Sequence, residues 1–247
     1  GEGFIKITGP VGAGKTLLCR KLLNELPPPF VTAYIANPHL SPSALHQTIA
    51  DELGIDYPRK TAASRLLSLI NDHLLHAAAD GQKIVLIIDE AQAMPLETLE
   101  ALRLLTNLET TDRKLLQIML IGQPELRDML ARPELGQLAQ RVIARFHLDA
   151  LSESETDQYI QHRLAVAGLK QGQLFDAAAV HRVHQATRGV PRRINLLCDR
   201  ALLGAYAKGQ PTVSEDIVAQ AAKEVFDLDM PGRAKAQRAS SKAKSSG

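Results

Sequence analysis

One octapeptide limits what this chain can fold into more than any other stretch: Gly9-Pro-Val-Gly-Ala-Gly-Lys-Thr16. It fits G-x-x-x-x-G-K-[ST], and its flanks supply the context that spacing needs. Phe4-Ile-Lys-Ile-Thr8 alternates and is β-branched, as a short strand is. Leu17-Leu-Cys-Arg-Lys-Leu-Leu23 carries its apolar residues at helical spacing. A strand, a glycine loop and a helix together make a polyphosphate cradle, with backbone N–H groups turned inward and a helix N-terminus behind them. Gly12 and Gly14 can take positive φ and let the backbone come close to phosphates. Lys15 is expected to reach the β- and γ-phosphates and the Thr16 hydroxyl to hold Mg²⁺. A nucleoside triphosphate is thus expected against Gly9, Pro10, Val11, Gly12, Ala13, Gly14, Lys15, Thr16 and Leu17.

Further along, Leu26-Pro-Pro-Pro29 ends the first helix, because proline removes a donor and locks φ. Phe30–Ile35 reads as a second strand, and Ser41 with Pro42 opens a helix to about Leu53. A Leu- and Ala-rich helix follows at about 62–79. Lys83 to Ile88 reads as a third strand, and its run Ile84-Val-Leu-Ile-Ile88 is continuously apolar, as in a strand buried on both faces of a parallel sheet; it ends in Asp89-Glu90. Pro95 opens a helix to about Leu108, Leu115–Ile121 is a fourth strand, Pro124 to about Val142 is helical, and Ala144–Leu148 is a fifth strand. From Ser152 onward only helices follow: about 153–167, 176–187, 191–207 and 214–226. Ser152-Glu-Ser-Glu155 has the form of a capping box, with Thr156 a second capping candidate.

The expected architecture is an α/β domain over 1–150 with a five-stranded parallel sheet, then a small all-helical lid over 151–228. Residues 229–247 read as a disordered basic tail carrying Arg233, Lys235, Arg238, Lys242 and Lys244. The net charge of +2 is too small to argue for nucleic acid. No apolar run approaches the roughly 20 residues of a membrane span. Two cysteines, Cys19 and Cys198, far apart and each in a helix pattern, suit a reducing compartment. The chain starts almost on its first strand and without a signal-peptide pattern, so upstream sequence is expected to have been trimmed.

The chemistry gathers at strand ends. Asp89 is expected to hold Mg²⁺ through its hydration shell, and Glu90 to orient and deprotonate the attacking water. A strand between the loop strand and this one, with the adjacent glutamate, points to the ATPase branch of P-loop proteins. No Asn-Lys-x-Asp motif is present to read guanine. Gln123, at the carboxyl edge of the sheet, could hold the water against the γ-phosphate. Arg141 or Arg145 could reach a neighbouring subunit's site as a finger. Arg192 or Arg193, at the first turn of a helix, could reach the γ-phosphate and report nucleotide state. The helical pairs His73/His76 and His181/His184 show no nearby acidic or cysteine ligands and are not expected to bind metal.

These pieces resemble an AAA+ ATPase, and more narrowly the ExeA/GspA group of bacterial secretion and pilus ATPases. The likeness rests on Gly3–Gly9, Thr16–Leu22, Ile88-Asp-Glu-Ala-Gln92, Leu102–Thr110, Leu120–Leu126 and Gly189–Asp199, and covers about Glu2–Val225. It implies Lys15 and Thr16 as Walker A, Asp89 and Glu90 as Walker B, Gln123 as sensor 1, Arg192 as sensor 2 and a finger near Arg141. It further implies ATP and Mg²⁺ as cofactors, a homo-oligomer, inner-membrane pilus or secretion components as partners, and a cytoplasmic location docked on them. The group carries an upstream segment that helps hold adenine, and its longer members continue into a membrane span and a peptidoglycan-binding domain. Neither is matched here, which favours a shorter pilus-type member or a trimmed chain. Two other readings share the core: a DNA-associated ATPase of the transposition-regulator type, and a nucleotide-dependent interaction switch with little turnover.

Overall fold

The computed structural model describes residues 3–58, 60–107, 115–170 and 172–226. Five strands alternate with helices: β1 (Phe4–Thr8), α1 (Lys15–Glu25), β2 (Phe30–Ile35), α2 (Pro42–Glu52), α3 (Ala63–Ala79), β3 (Lys83–Ile88) and α4 (Leu96–Leu105). Then come β4 (Leu116–Gly122), two short helices α5 (Glu125–Leu130) and α6 (Gly136–Gln140), and β5 (Val142–His147). All pairings are parallel, in the order β2-β3-β4-β1-β5. The strand beside β1 on the β3 side is therefore β4, not its chain-order neighbour β2. This arrangement brings the carboxyl ends of β1, β3 and β4 side by side, where the loops after them carry Gly9, Asp89 and Gln123.

Burial follows from the pleat. Phe4, Leu86, Ile88, Ile118 and Leu120 share a core with Leu45, Ile49, Ile70, Leu74, Leu99 and Leu102 of α2, α3 and α4. On the other face Ile7, Val85, Ile87 and Ile121 pack with Cys19 of α1. Covering both faces is what lets β3 be apolar from Ile84 to Ile88.

The expected helix over Pro124–Val142 is not continuous. Arg132 is extended (φ −65, ψ 142) before Pro133, as the residue preceding a proline tends to be. The segment becomes α5, a single 3₁₀ turn and α6, and Val142 already belongs to β5. The far end of the Pro95 helix at Leu108 and the basic tail lie outside the described residues.

The chain divides into two compact units, Gly1–Asp149 and Ala150–Gly247. The second unit is helical: α7 (Glu153–Val166), α8 (Ala177–Thr187), α9 (Pro191–Ala207) and α10 (Glu215–Phe226). Its core is built on Ile160, Phe175, Val183, Leu197, Ala201 and Val218. Ser152 accepts from Glu155 N–H while the Glu155 carboxylate accepts from Ser152 N–H, so the capping box closes. Such a cap contributes about 1 kcal/mol. Thr156 instead lies inside α7 and gives its hydroxyl to Ser152 O. No described helix is long and apolar enough to cross a membrane.

Candidate functional site

The loop after β1 wraps its own lysine. Gly12 and Gly14 sit at φ 83 and 97, the left-handed region that an L side chain resists. Gly14 is the residue before α1, and its carbonyl starts the helix by accepting from Leu18 N–H. Gly9 is small for a different reason: a Cβ there would stand 2.9 Å from Leu148 O. Lys15 is buried, and its ammonium donates to Gly9 O at 2.8 Å and Pro10 O at 3.0 Å. The positive charge therefore lies inside the curl of the loop. Ala13 N–H bonds back to Pro10 O, closing the turn, while Val11 and Leu17 are exposed on either side.

Next to the loop, Asp89 follows β3 and is almost fully buried. Its Oδ2 accepts from the Thr16 hydroxyl at 2.9 Å and from Tyr34 Oη at 3.4 Å, and its Oδ1 accepts from Glu90 N–H at 2.9 Å. Burial, and then the Asp89 charge, push Cys19 and Tyr34 up to about 12 each, so both stay neutral beside the carboxylate. Sequence reasoning assigns neither of them to the site. Tyr34 is an ordinary strand residue until β2 is seen to pair with β3, and Cys19 is one helical turn past Thr16.

Glu90 is a non-glycine residue at φ 52, ψ 35, a strained position that recurs at functional sites. Its Oε2 accepts from Gln92 Nε2 at 2.6 Å and Gln123 Nε2 at 3.1 Å. Desolvation alone would raise its carboxyl. The two amide hydrogen bonds and the Lys15 charge outweigh that and hold it below the usual carboxylate range, so Glu90 is ionised at neutral pH. Gln123 thus meets Glu90 directly. Gln92, which also accepts Gln123 N–H at 2.9 Å, carries no signal of that role in the sequence beyond its place in the string after Asp89.

Arg141 behaves unlike an outward finger. Its guanidinium donates to the buried Thr106 hydroxyl at 2.6 Å, tying the start of β5 to the end of α4. Arg145 is the more exposed of the two along β5, set between exposed Ile143 and Phe146, and its side chain makes no hydrogen bond or ion pair among the described residues. In the helical unit Arg193 donates to Ala186 O and stacks on the Phe226 ring at 4.4 Å. Arg192 stands at the first turn of α9, with no hydrogen bond or ion pair among the described residues. His181 does have an acidic neighbour, since Glu153 Oε1 lies 2.7 Å from its Nδ1. α7 and α8 bring the two together from distant parts of the sequence. Even so, no cluster of three metal-ligating side chains occurs among the described residues.

The donor set at the loop suits a nucleotide and a hard cation: a buried ammonium, positive-φ glycines and two oxygens, Thr16 Oγ1 and Asp89 Oδ2, 2.9 Å apart. Comparison with known proteins agrees with that geometry. Residues 1–130 match the family model described as AAA domain. The chain is 47% identical over 228 residues to General secretion pathway protein A of Aeromonas hydrophila, a match that covers 92% of this chain and 42% of the relative. It spans less than half the length of the curated relatives it matches. Among solved structures, Cdc6p from Pyrobaculum aerophilum superposes with TM-score 0.68 at 20% identity, covering 91% of this chain and 62% of that one. The Aeropyrum pernix ORC2 protein superposes with TM-score 0.65 at 20% identity, covering 90% and 62%. With a glycine loop after β1, an acidic pair after β3, a five-stranded parallel sheet and a family match over its first 130 residues, this chain belongs to the AAA domain family.

Proposed function

We propose that this chain is an Mg²⁺-dependent ATPase that couples ATP binding and hydrolysis to assembly of a bacterial cell-envelope machine. The observation that carries the ATPase reading is the adjacency of Lys15, Thr16, Asp89 and Glu90 at one edge of the sheet. Backbone N–H groups of Gly12 to Lys15 would bind the phosphates, with the Lys15 ammonium exchanging its carbonyl partners for phosphate oxygens. Thr16 and Asp89 would hold the cation, which when bound neutralises charge on the phosphates. Glu90, ionised and fixed through Oε2, would take the proton of a water aligned by Gln123.

The secretion or pilus role rests on likeness to General secretion pathway protein A and on the strings around Asp89-Glu-Ala-Gln92 and Gly189–Asp199. Within that group we favour the pilus-type branch, to whose MSHA pilus ATPase MshM the chain is similar. The helical unit would act as a lid with Arg192 as its sensor, in a homo-oligomer docked on inner-membrane components. Of the two finger candidates we favour Arg145, because Arg141 is held within the chain by Thr106.

Steady-state ATP hydrolysis measured against protein concentration tests this reading. A specific activity that rises with concentration, and is lost in Lys15→Ala, Glu90→Gln and Arg145→Ala, is expected. Nucleotide binding without turnover in the wild type would reduce the chain to a switch.

A further inference from the structure

Hydrolysis by this site needs Glu90 aimed, and the groups that aim it form a closed ring. Glu90 Oε2 accepts from Gln92 Nε2 at 2.6 Å and Gln123 Nε2 at 3.1 Å. Gln92 Oε1 in turn accepts from Gln123 N–H at 2.9 Å. One primary amide thus holds a carboxylate with its donor end and a backbone N–H with its acceptor end. A side-chain amide carries its donor and its acceptor on two separate atoms of one planar group, and the two neighbours fix which end is which.

Two further observations show that the ring shapes its surroundings. Gly122 precedes Gln123, and a Cβ there would stand 2.6 Å from Gln92 Oε1. Its φ lies outside the left-handed region, so what favours glycine is the space Gln92 occupies. The left-handed backbone at Glu90, followed by the 3₁₀ turn Ala91–Ala93, is what folds Gln92 back over Glu90. Gln92 is half-buried and belongs to neither face's buried core, so packing does not account for it. With both amides on Oε2, the Oε1 of Glu90 takes no hydrogen bond from any described residue.

We propose that Gln92 is a positioning residue for hydrolysis. It clamps one oxygen of Glu90, leaves the other to meet the attacking water, and ties the base to the Gln123 segment so that the two move together. This rests on the ATPase reading above.

The test uses kcat for ATP hydrolysis and equilibrium binding of a fluorescent ATP analogue. The variants are Gln92→Leu, Gln92→Glu, Gln123→Ala and the double Gln92→Leu/Gln123→Ala. Gln92→Glu keeps the size and an acceptor for Gln123 N–H but sets a like charge against Glu90. Both Gln92 variants are expected to lose about tenfold in kcat, the equivalent of about 1.4 kcal/mol, with affinity for the analogue within about twofold of wild type. The double variant is expected to be no slower than its slower parent, because the residues act as one unit. Gly122→Ala displaces the same amide without altering it and should lower kcat likewise, which keeps the test open if Gln92→Leu folds poorly. A Gln92→Glu enzyme at the wild-type rate would overturn the proposal, as would independent losses in the double variant. So would affinity falling in step with rate, the mark of a mere structural prop. Failure of the ATPase reading looks different: the wild type itself would not turn over.

Discussion

Gly189 offers a sharp test of how the helical unit is held together. It sits at φ +71, and a Cβ there would overlap Leu151 O and stand 3.0 Å from Leu151 N. Leu151 N–H also donates to Gly189 O at 2.9 Å, so the contact cannot open without breaking that bond. In Gly189→Ala the left-handed φ costs about 1–2 kcal/mol. Losing or stretching the backbone hydrogen bond adds about 0.5–1.5 kcal/mol. The sum, about 1.5–3.5 kcal/mol, is a large fraction of the roughly 5–15 kcal/mol typical of a domain. A control lies at the other end of α9. Gly209 has φ +64 but nothing within 4 Å of its would-be Cβ, so Gly209→Ala should carry the backbone cost alone. Urea unfolding followed by far-UV circular dichroism suits this chain, which has no tryptophan. The expected result is a lower midpoint for Gly189→Ala than for Gly209→Ala. Equal losses in the two would refute the claim that the Leu151 contact pins the entry to α9.

Two other outcomes rest on the same kind of reasoning. Arg141→Ala removes a charge-assisted hydrogen bond to the buried Thr106 and should destabilise the chain by about 1.5–3 kcal/mol in urea unfolding, whereas Arg145→Ala should leave the midpoint unchanged. His46 is buried with both ring nitrogens lacking a partner among the described residues, and burial lowers its pKa. As pH falls through the ordinary histidine range near about 6.5, the unfolded chain takes up a proton that the folded one refuses, so stability drops by at most about 1.4 kcal/mol per pH unit. His46→Leu should flatten that slope between about pH 8 and 5.5 in urea titrations; an unchanged slope would place its origin elsewhere.

The strands and the loop were legible because their signals are local. β3 spans Lys83–Ile88, the apolar run with the one lysine before it, and positive φ at Gly12 and Gly14 is the freedom the motif needs. The helix expected over Pro124–Val142 breaks because the restraint Pro133 puts on Arg132 overrides the apolar spacing. What could not be read was anything requiring strand order. Tyr34 meets Asp89 only because β2 pairs with β3, and Gln92 meets Gln123 only because β3 lies beside β4. Arg141 shows the same limit from the other side: an arginine before a strand carries no sign of whether it faces outward or caps a distant helix.

The pairing of β1 also sets an order of events for a chain emerging from the ribosome. Thr8 finds its side-chain partner His147 at a separation of 139 residues, and the strand's other neighbour, β4, starts at Leu116. At synthesis rates of about 5–20 residues per second, β1 waits roughly 7–28 s for its last partner. Until then its apolar residues are open to holdase chaperones or to self-association. The strand that carries the glycine loop is made before both strands it pairs with, and it is enclosed only by the second of them.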